Sequence, residues 1–173
     1  MIRLYHGSNV MVRKPDLSCS KPFKDFGKGF YLSDNYDQAY EMACQKVKQL
    51  CRGKEEVAVF LFDERLLTSS DLSVRIFDDY SEEWAKFVIM NRDSESKQPS
   101  HGYDIVYGPI ADDGVTYQLK RYLGGVISLS RLVEELKYAK GITFQYYFAT
   151  EKALKTLTYE EQTDKRTDTI NEG

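Results

Sequence analysis

The chain has 173 residues, of which 42% are apolar and 13% aromatic, enough to bury one sizeable core and too apolar for a disordered segment. A net charge of -3 and an isoelectric point near 5.5 exclude the overall positive field of a non-specific nucleic-acid binder, leaving room only for a local basic patch. No stretch of 18 apolar residues occurs, and no charged segment leads into an apolar one, so a cytoplasmic chain without a membrane partner is expected.

Residues 1–6 alternate Ile2, Leu4 and His6 with Arg3 and Tyr5, the pattern of a strand, and Gly7-Ser8 follows at its end. Residues 9–24 carry Pro15, Pro22 and several lysines with little periodicity, and read as a surface loop. The next stretch, DFGKGFYLSDNYDQA, begins at Asp25. Gly27 and Gly29 allow a sharp turn and close approach to a bound group, Phe30-Tyr31-Leu32 reads as a short strand, and Ser33, Asp34 and Asn35 offer N-caps. From Asp37 the positions Ala39, Met42, Ala43, Val47 and Leu50 follow helical spacing as an inward stripe, with Gly53 where the helix should stop. Cys44 and Cys51 on this helix stand roughly 10 Å apart by helical rise, too far to bridge. With three cysteines in all and no Cys-x-x-Cys pair, neither a disulfide framework nor a metal site is expected.

Residues 57–62 form an apolar run of strand length, residues 63–80 are mixed, and Ser81 caps a helix that turns Trp84, Ala85, Phe87 and Val88 inward and ends near Asn91-Arg92. Residues 93–101 are polar and read as a loop in which His101 has no evident partner. A short strand at 103–106 leads into the turn Gly-Pro-Ile-Ala-Asp-Asp-Gly, where Asp112 and Asp113 read either as a cap or as part of a site. Helices are expected at 115–123 and 129–139, the second with an apolar stripe of Leu129, Leu132, Val133 and Leu136. Residues 141–149 make an aromatic-rich strand, and Thr150 caps a helix over 151–157. The division expected is one domain over residues 1–157 and a polar tail over 158–173.

Tyr5-His6-Gly7-Ser8 followed by Phe26-Gly27-Lys28-Gly29-Phe30-Tyr31 resembles the nicotinamide-binding half of the diphtheria-toxin-like and poly(ADP-ribose)-polymerase-like ADP-ribosyltransferases. With the YDIVYGPIADD and FATEKALKTL blocks, the chain looks most like a bacterial branch of that superfamily, over residues 2–157. The resemblance implies an α+β fold with a split mixed β-sheet and flanking helices, and NAD as substrate in a cleft between the His6 and Tyr31 strands. It assigns His6 to a hydroxyl of the adenine-side ribose, the Gly7 backbone to the nicotinamide carboxamide and Ser8 to a supporting contact. Tyr31 would stack on nicotinamide with Phe26 as a second wall, since an aromatic face orients the flat leaving group and excludes water. Gly27 would bring backbone close to the cofactor, and Asp112 would stand at a wall of the site. Lys28 matches the lysine of the polymerase-like turn and equally suits a surface position.

In the third motif the family's glutamate is matched by Gln145. An amide can hold the ribose hydroxyl but brings no charge to the cation that develops as nicotinamide leaves, a loss on the order of 2–4 kcal/mol, or about 10²- to 10³-fold in rate. The expectation is therefore mono-ADP-ribosyl transfer to a macromolecular acceptor, protein favoured over nucleic acid, with His6, Tyr31 and Gln145 as the catalytic set. The alternatives are a catalytically silent NAD or ADP-ribose binding module and a nucleic-acid-directed enzyme of the same fold. Likeness to bacterial proteins suggests a toxin of a toxin-antitoxin pair, with an antitoxin protein as a further partner.

Overall fold

The computed structural model describes residues 1–94, 101–137 and 141–161. Strand alternation in the sequence is realised as two sheets. The first has the order β1 (Ile2–Ser8), β3 (Glu56–Phe62), β7 (Thr158–Glu160), all antiparallel. The second has the order β2 (Phe30–Leu32), β6 (Phe144–Phe148), β5 (Ile105–Pro109), β4 (Val74–Ile76), antiparallel except for the parallel pair β4–β5. The α-helices among the described residues are α1 (Tyr36–Leu50), α2 (Glu82–Arg92), α3 (Asp113–Leu123), α4 (Leu129–Lys137) and the single turn α5 (Glu151–Leu154). The chain is thus a mixed α+β protein with two sheets.

Because successive side chains on a strand face opposite ways, the central strands of the second sheet feed two cores. Tyr146 and Phe148 of β6 and Ile105 of β5 join Leu4, Phe60 and Phe62 from the first sheet. Tyr147 and Val106 face the other way, where Trp84 and Val88 of α2, Leu119 of α3 and Leu132 of α4 cover them. The Trp84 indole N–H donates to the Pro109 carbonyl at 3.1 Å, so the largest buried ring leaves no orphan donor. Caps are as the sequence reads: Asn35, Ser81, Asp112 and Thr150 each accept from a backbone N–H in the first turn of their helix.

Several elements differ from expectation. On α1 only Ala39 and Ala43 are buried, while Met42 and Leu50 are about half exposed. The reason is a close helix–strand contact: a Cβ on Gly7 would stand 1.7 Å from the Ala39 carbonyl oxygen, so the small residues of α1 press directly on β1 and longer ones are turned aside. The helix stops at Cys51, which takes a left-handed conformation (φ 49°), ahead of Gly53. Strand β4 lies in the stretch read as mixed. Helix α5 ends at Leu154, since Thr156 N–H turns back to the Ala153 carbonyl and leads the chain into β7. Residues 158–160, expected in the tail, instead form that strand, with Tyr159 opposite Phe60 on β3. The rest of the expected tail, 162–173, lies outside the described residues, as do 95–100 of the polar loop and 138–140 at the expected end of the fourth helix. No helix among the described residues is long and apolar enough to cross a membrane.

Candidate functional site

The two sheets meet where β1 passes β2. Tyr5 N–H donates to Ser33 O at 2.7 Å and Ser33 N–H returns to Tyr5 O at 2.9 Å, an isolated antiparallel bridge. A cavity of about 610 Å³ opens along this seam, within the size range of small-molecule and cofactor sites. Strand β1 contributes Tyr5, His6 and Gly7, β2 contributes Tyr31, and β6 contributes Gln145. Helix α1 adds Met42 and Lys46, and the loop before β2 adds Phe23, Lys24 and Asp25.

His6 is tied across the seam: its Nδ1 lies 2.8 Å from the Tyr31 carbonyl oxygen, and its ring stacks on Phe30 at 4.3 Å. A carbonyl only accepts, so Nδ1 carries the proton and Nε2 is left as an acceptor. Burial, with Lys46 and Lys24 as nearby positive charges, lowers the imidazole to about 3. At neutral pH His6 is therefore uncharged and can receive a hydrogen bond, but it cannot donate a proton from Nε2.

Tyr31 closes its own turn. Its hydroxyl donates to Gly27 O at 2.7 Å and accepts from Phe26 N–H at 3.1 Å. Burial, then the neighbouring Tyr147 and Asp25, push its phenol well above the ordinary value, so it stays protonated. Tyr147 lies 5.0 Å from its ring, and the Lys24 ammonium stands 4.8 Å over the ring centroid, a cation–π contact covering one face.

Beside Gln145 a partly buried ionic network lines the cavity. Asp25 Oδ1 accepts from Arg92 Nε at 2.9 Å and Nη2 at 2.6 Å. Its Oδ2 accepts from Ala111 N–H at 2.9 Å and from Gln145 Nε2 at 3.0 Å. Arg92 also donates to Thr116 Oγ1 and to Ala111 O, so the guanidinium is held on several sides. Every bond to Asp25 has it as acceptor, which suits a carboxylate, and an acceptor facing the Gln145 amide fixes its orientation. The amide nitrogen turns toward Asp25, so Oε1 is the end with which Gln145 can accept from a ligand. Lys46 is anchored as well, donating to Gly7 O at 2.8 Å.

A family model described as "Protein of unknown function (DUF3990)" matches residues 2–159. The chain belongs to that family. No curated protein and no solved structure matches it. The DUF3990 match runs from the first residue of β1 into β7, and so takes in both sheets and every residue that lines the cavity.

Of the positions that the sequence singles out in this DUF3990 chain, His6, Gly7, Tyr31 and Gln145 line the cavity together. Ser8 is buried at the end of β1, and Phe26 is fully buried in the second core, with Phe77, Phe87 and Tyr147 rings around it. Gly27 takes a left-handed φ of 96° and gives its carbonyl to Tyr31, while Lys28 is exposed and its carbonyl accepts from the Tyr147 hydroxyl. Asp112 caps α3 by accepting from Val115 N–H at 2.8 Å. None of these five lines the cavity. His101, read as a loop residue without a partner, accepts from Tyr103 N–H at Nδ1 and so donates from Nε2 to Phe26 O at 2.8 Å, bracing the glycine turn from behind. Asp25, Arg92, Lys24 and Lys46 are the charged lining residues that sequence reading missed. Only Asp25 had a signal, standing first in the motif stretch.

Proposed function

We propose that this protein is an NAD-dependent mono-ADP-ribosyltransferase with the split mixed sheet of that superfamily. The observation that carries the reading is the convergence of His6, Gly7, Tyr31 and Gln145, drawn from three strands of two sheets, on one cavity. Each has chemistry suited to NAD. The His6 Nε2 accepts from a ribose hydroxyl, and Gln145 Oε1 accepts from a hydroxyl of the nicotinamide-side ribose. The Tyr31 ring offers a face for nicotinamide once the Lys24 amine is displaced from it. The bond between nicotinamide nitrogen and ribose C1′ breaks, nicotinamide leaves with the electron pair as a neutral molecule, and a nucleophile of the acceptor bonds to C1′ and loses its proton. A neutral leaving group needs no general acid, which agrees with a His6 that stays unprotonated at neutral pH. Orientation and exclusion of water supply the larger part of the acceleration.

The test is nicotinamide release from NAD by the wild type and by Tyr31→Ala, each with and without cell lysate. Release by the wild type that depends on lysate, and falls at least 100-fold in Tyr31→Ala, is expected. Unchanged release in the variant defeats the reading. Label transferred to RNA in place of protein would redirect the acceptor to nucleic acid.

A second reading, an NAD or ADP-ribose binding module, is favoured by one observation. Gln145 is neutral, and the charge of Asp25 behind it is matched by Arg92 at 2.6 Å, so no uncompensated negative charge faces the ribose. Binding of NAD without nicotinamide release identifies it. A toxin role predicts poor growth of cells expressing the wild type and normal growth with His6→Ala; equal growth counts against it.

A further inference from the structure

The cavity wall carries Lys24, Lys46 and Arg92 against one carboxylate, Asp25, in a chain whose net charge is -3. Arg92 and Asp25 satisfy each other. Neither Lys24 nor Lys46 has a carboxylate within ion-pair distance among the described residues. Lys46 reaches from α1 and is held in place by the Gly7 carbonyl, while Lys24 comes from the loop before β2 and leans over Tyr31. Two cations from separate elements thus line one cavity without an ion-pair partner among the described residues.

We propose that Lys24 and Lys46 form an anion subsite in this cavity, the place where the diphosphate of a dinucleotide or of ADP-ribose is held. The dinucleotide as ligand rests on the transferase reading, whereas the cation pair and its need for an anion do not. An acceptor imidazole, an aromatic face and two cations without a carboxylate partner among the described residues match a ligand with hydroxyls, flat rings and adjacent phosphates. Ammonium–phosphate bonds are charge-assisted and gain strength as the cavity empties of water.

Electrostatics support the pairing. Loss of water, then Lys24 and Lys21, lower Lys46 to about 8, and loss of water also lowers Lys24, against the raising effect of Asp25. The charged or titratable groups acting on Lys46 and Lys24 are thus each other, Lys21, Asp25 and, by the mutual effect on its own proton, His6. An anion between the lysines reverses the shift, so binding at pH 8 draws in protons at Lys46.

Titration calorimetry of the full chain at pH 8, in two buffers of different ionisation heat, tests this with ADP-ribose, inorganic pyrophosphate, inorganic phosphate and nicotinamide riboside. Expected are binding of ADP-ribose with proton uptake, competition by pyrophosphate, and affinity lower by about 10-fold or more in Lys24→Met and in Lys46→Met. Lys46→Arg should keep the affinity with less proton uptake, and the riboside, which has no diphosphate, should bind neither methionine variant more weakly than the wild type. Competition by phosphate equal to that by pyrophosphate would identify a single-phosphate site and overturn the diphosphate assignment. ADP-ribose bound as tightly by both methionine variants, or not bound by the wild type, overturns the subsite. Lys24 is exposed on a loop, so its variant remains informative even if Lys46→Met unfolds. Lysine-dependent pyrophosphate binding without NAD cleavage would remove the transferase reading and leave the subsite; cleavage indifferent to both lysines would do the reverse.

Discussion

Asp25 determines what Gln145 can be. An amide satisfies the carboxylate 3.0 Å away, whereas a second carboxylate there would face it with like charge. Replacing Gln145 by the glutamate of the resembled family therefore restores no catalytic charge, because the new group is driven to hold a proton. Its pKa in the folded state rises above that in the unfolded chain, so the stability it allows is present at low pH and lost as pH rises through the raised value. We expect Gln145→Glu to give no gain in nicotinamide release at pH 7.5, and the melting-temperature gap between it and the wild type to widen from pH 5 to pH 8. An equal gap at both pH values would show that Asp25 does not act on this position. His6 has the opposite sign. Its folded pKa of about 3 lies below the usual 6.5, so acid protonates the unfolded chain first and stability falls as pH drops from about 6.5 toward 3. His6→Gln should flatten that part of the acid-stability profile, measured by thermal unfolding across pH 3–7. Tyr31 and His6 were legible in the sequence because each stands beside glycines in a contiguous motif. Asp25, Arg92 and Gln145 were not legible as a unit, since their contacts span 67 and 120 residues of chain and leave no local pattern.

Elements bordering the cavity are held by close backbone packing as much as by side chains. The resemblance sets the Gly7 backbone against a ligand's carboxamide, yet the backbone that leaves no room for a Cβ at Gly7 is that of α1. Gly7→Ala would force the helix off β1, and we expect it to destabilise the protein by about 3 kcal/mol in urea unfolding, with Ser8→Ala costing less than about 1.5 kcal/mol. If Gly7→Ala keeps full stability, the helix can shift without consequence. Strand β7 offers a parallel case. Tyr159 packs edge-on to Phe60 with centroids 5.8 Å apart, so Tyr159→Ala should cost about 2 kcal/mol by the same measurement, although its segment reads as a polar tail. Strands β1, β2 and β3 could be read from alternation or apolar runs. Strands β4 and β7 are as short as β2 but lack its unbroken apolar run, with Arg75 in the one and Thr158 and Glu160 in the other, and exist because a neighbouring strand offers them an edge.

At the scale of the whole molecule, the chain crosses repeatedly between its sheets: from β1 to β2, back through α1 to β3, on to β4, and from β6 through α5 to β7. Neither sheet is a continuous segment, so neither can fold alone. Loss of Trp84 fluorescence, which reports the second core, and loss of far-ultraviolet dichroism should follow one transition, and two separated midpoints would contradict that interleaving. The two sheets share a core away from the cavity, where Phe60 and Phe62 meet Phe30, Tyr146 and Phe148, but polar ties join them at its edge. Along the cavity those ties are the paired Tyr5–Ser33 backbone bonds and the His6–Tyr31 bond. His6 belongs to one sheet, Tyr31 and Gln145 to the other, and so a molecule gripping all three acts as a clasp across a book's spine. Occupancy of the site thereby becomes mechanical: the amides of Tyr5 and Ser33 should exchange with solvent more slowly when the site is filled, while those of Phe60 and Phe148, deep in each sheet, keep their rate.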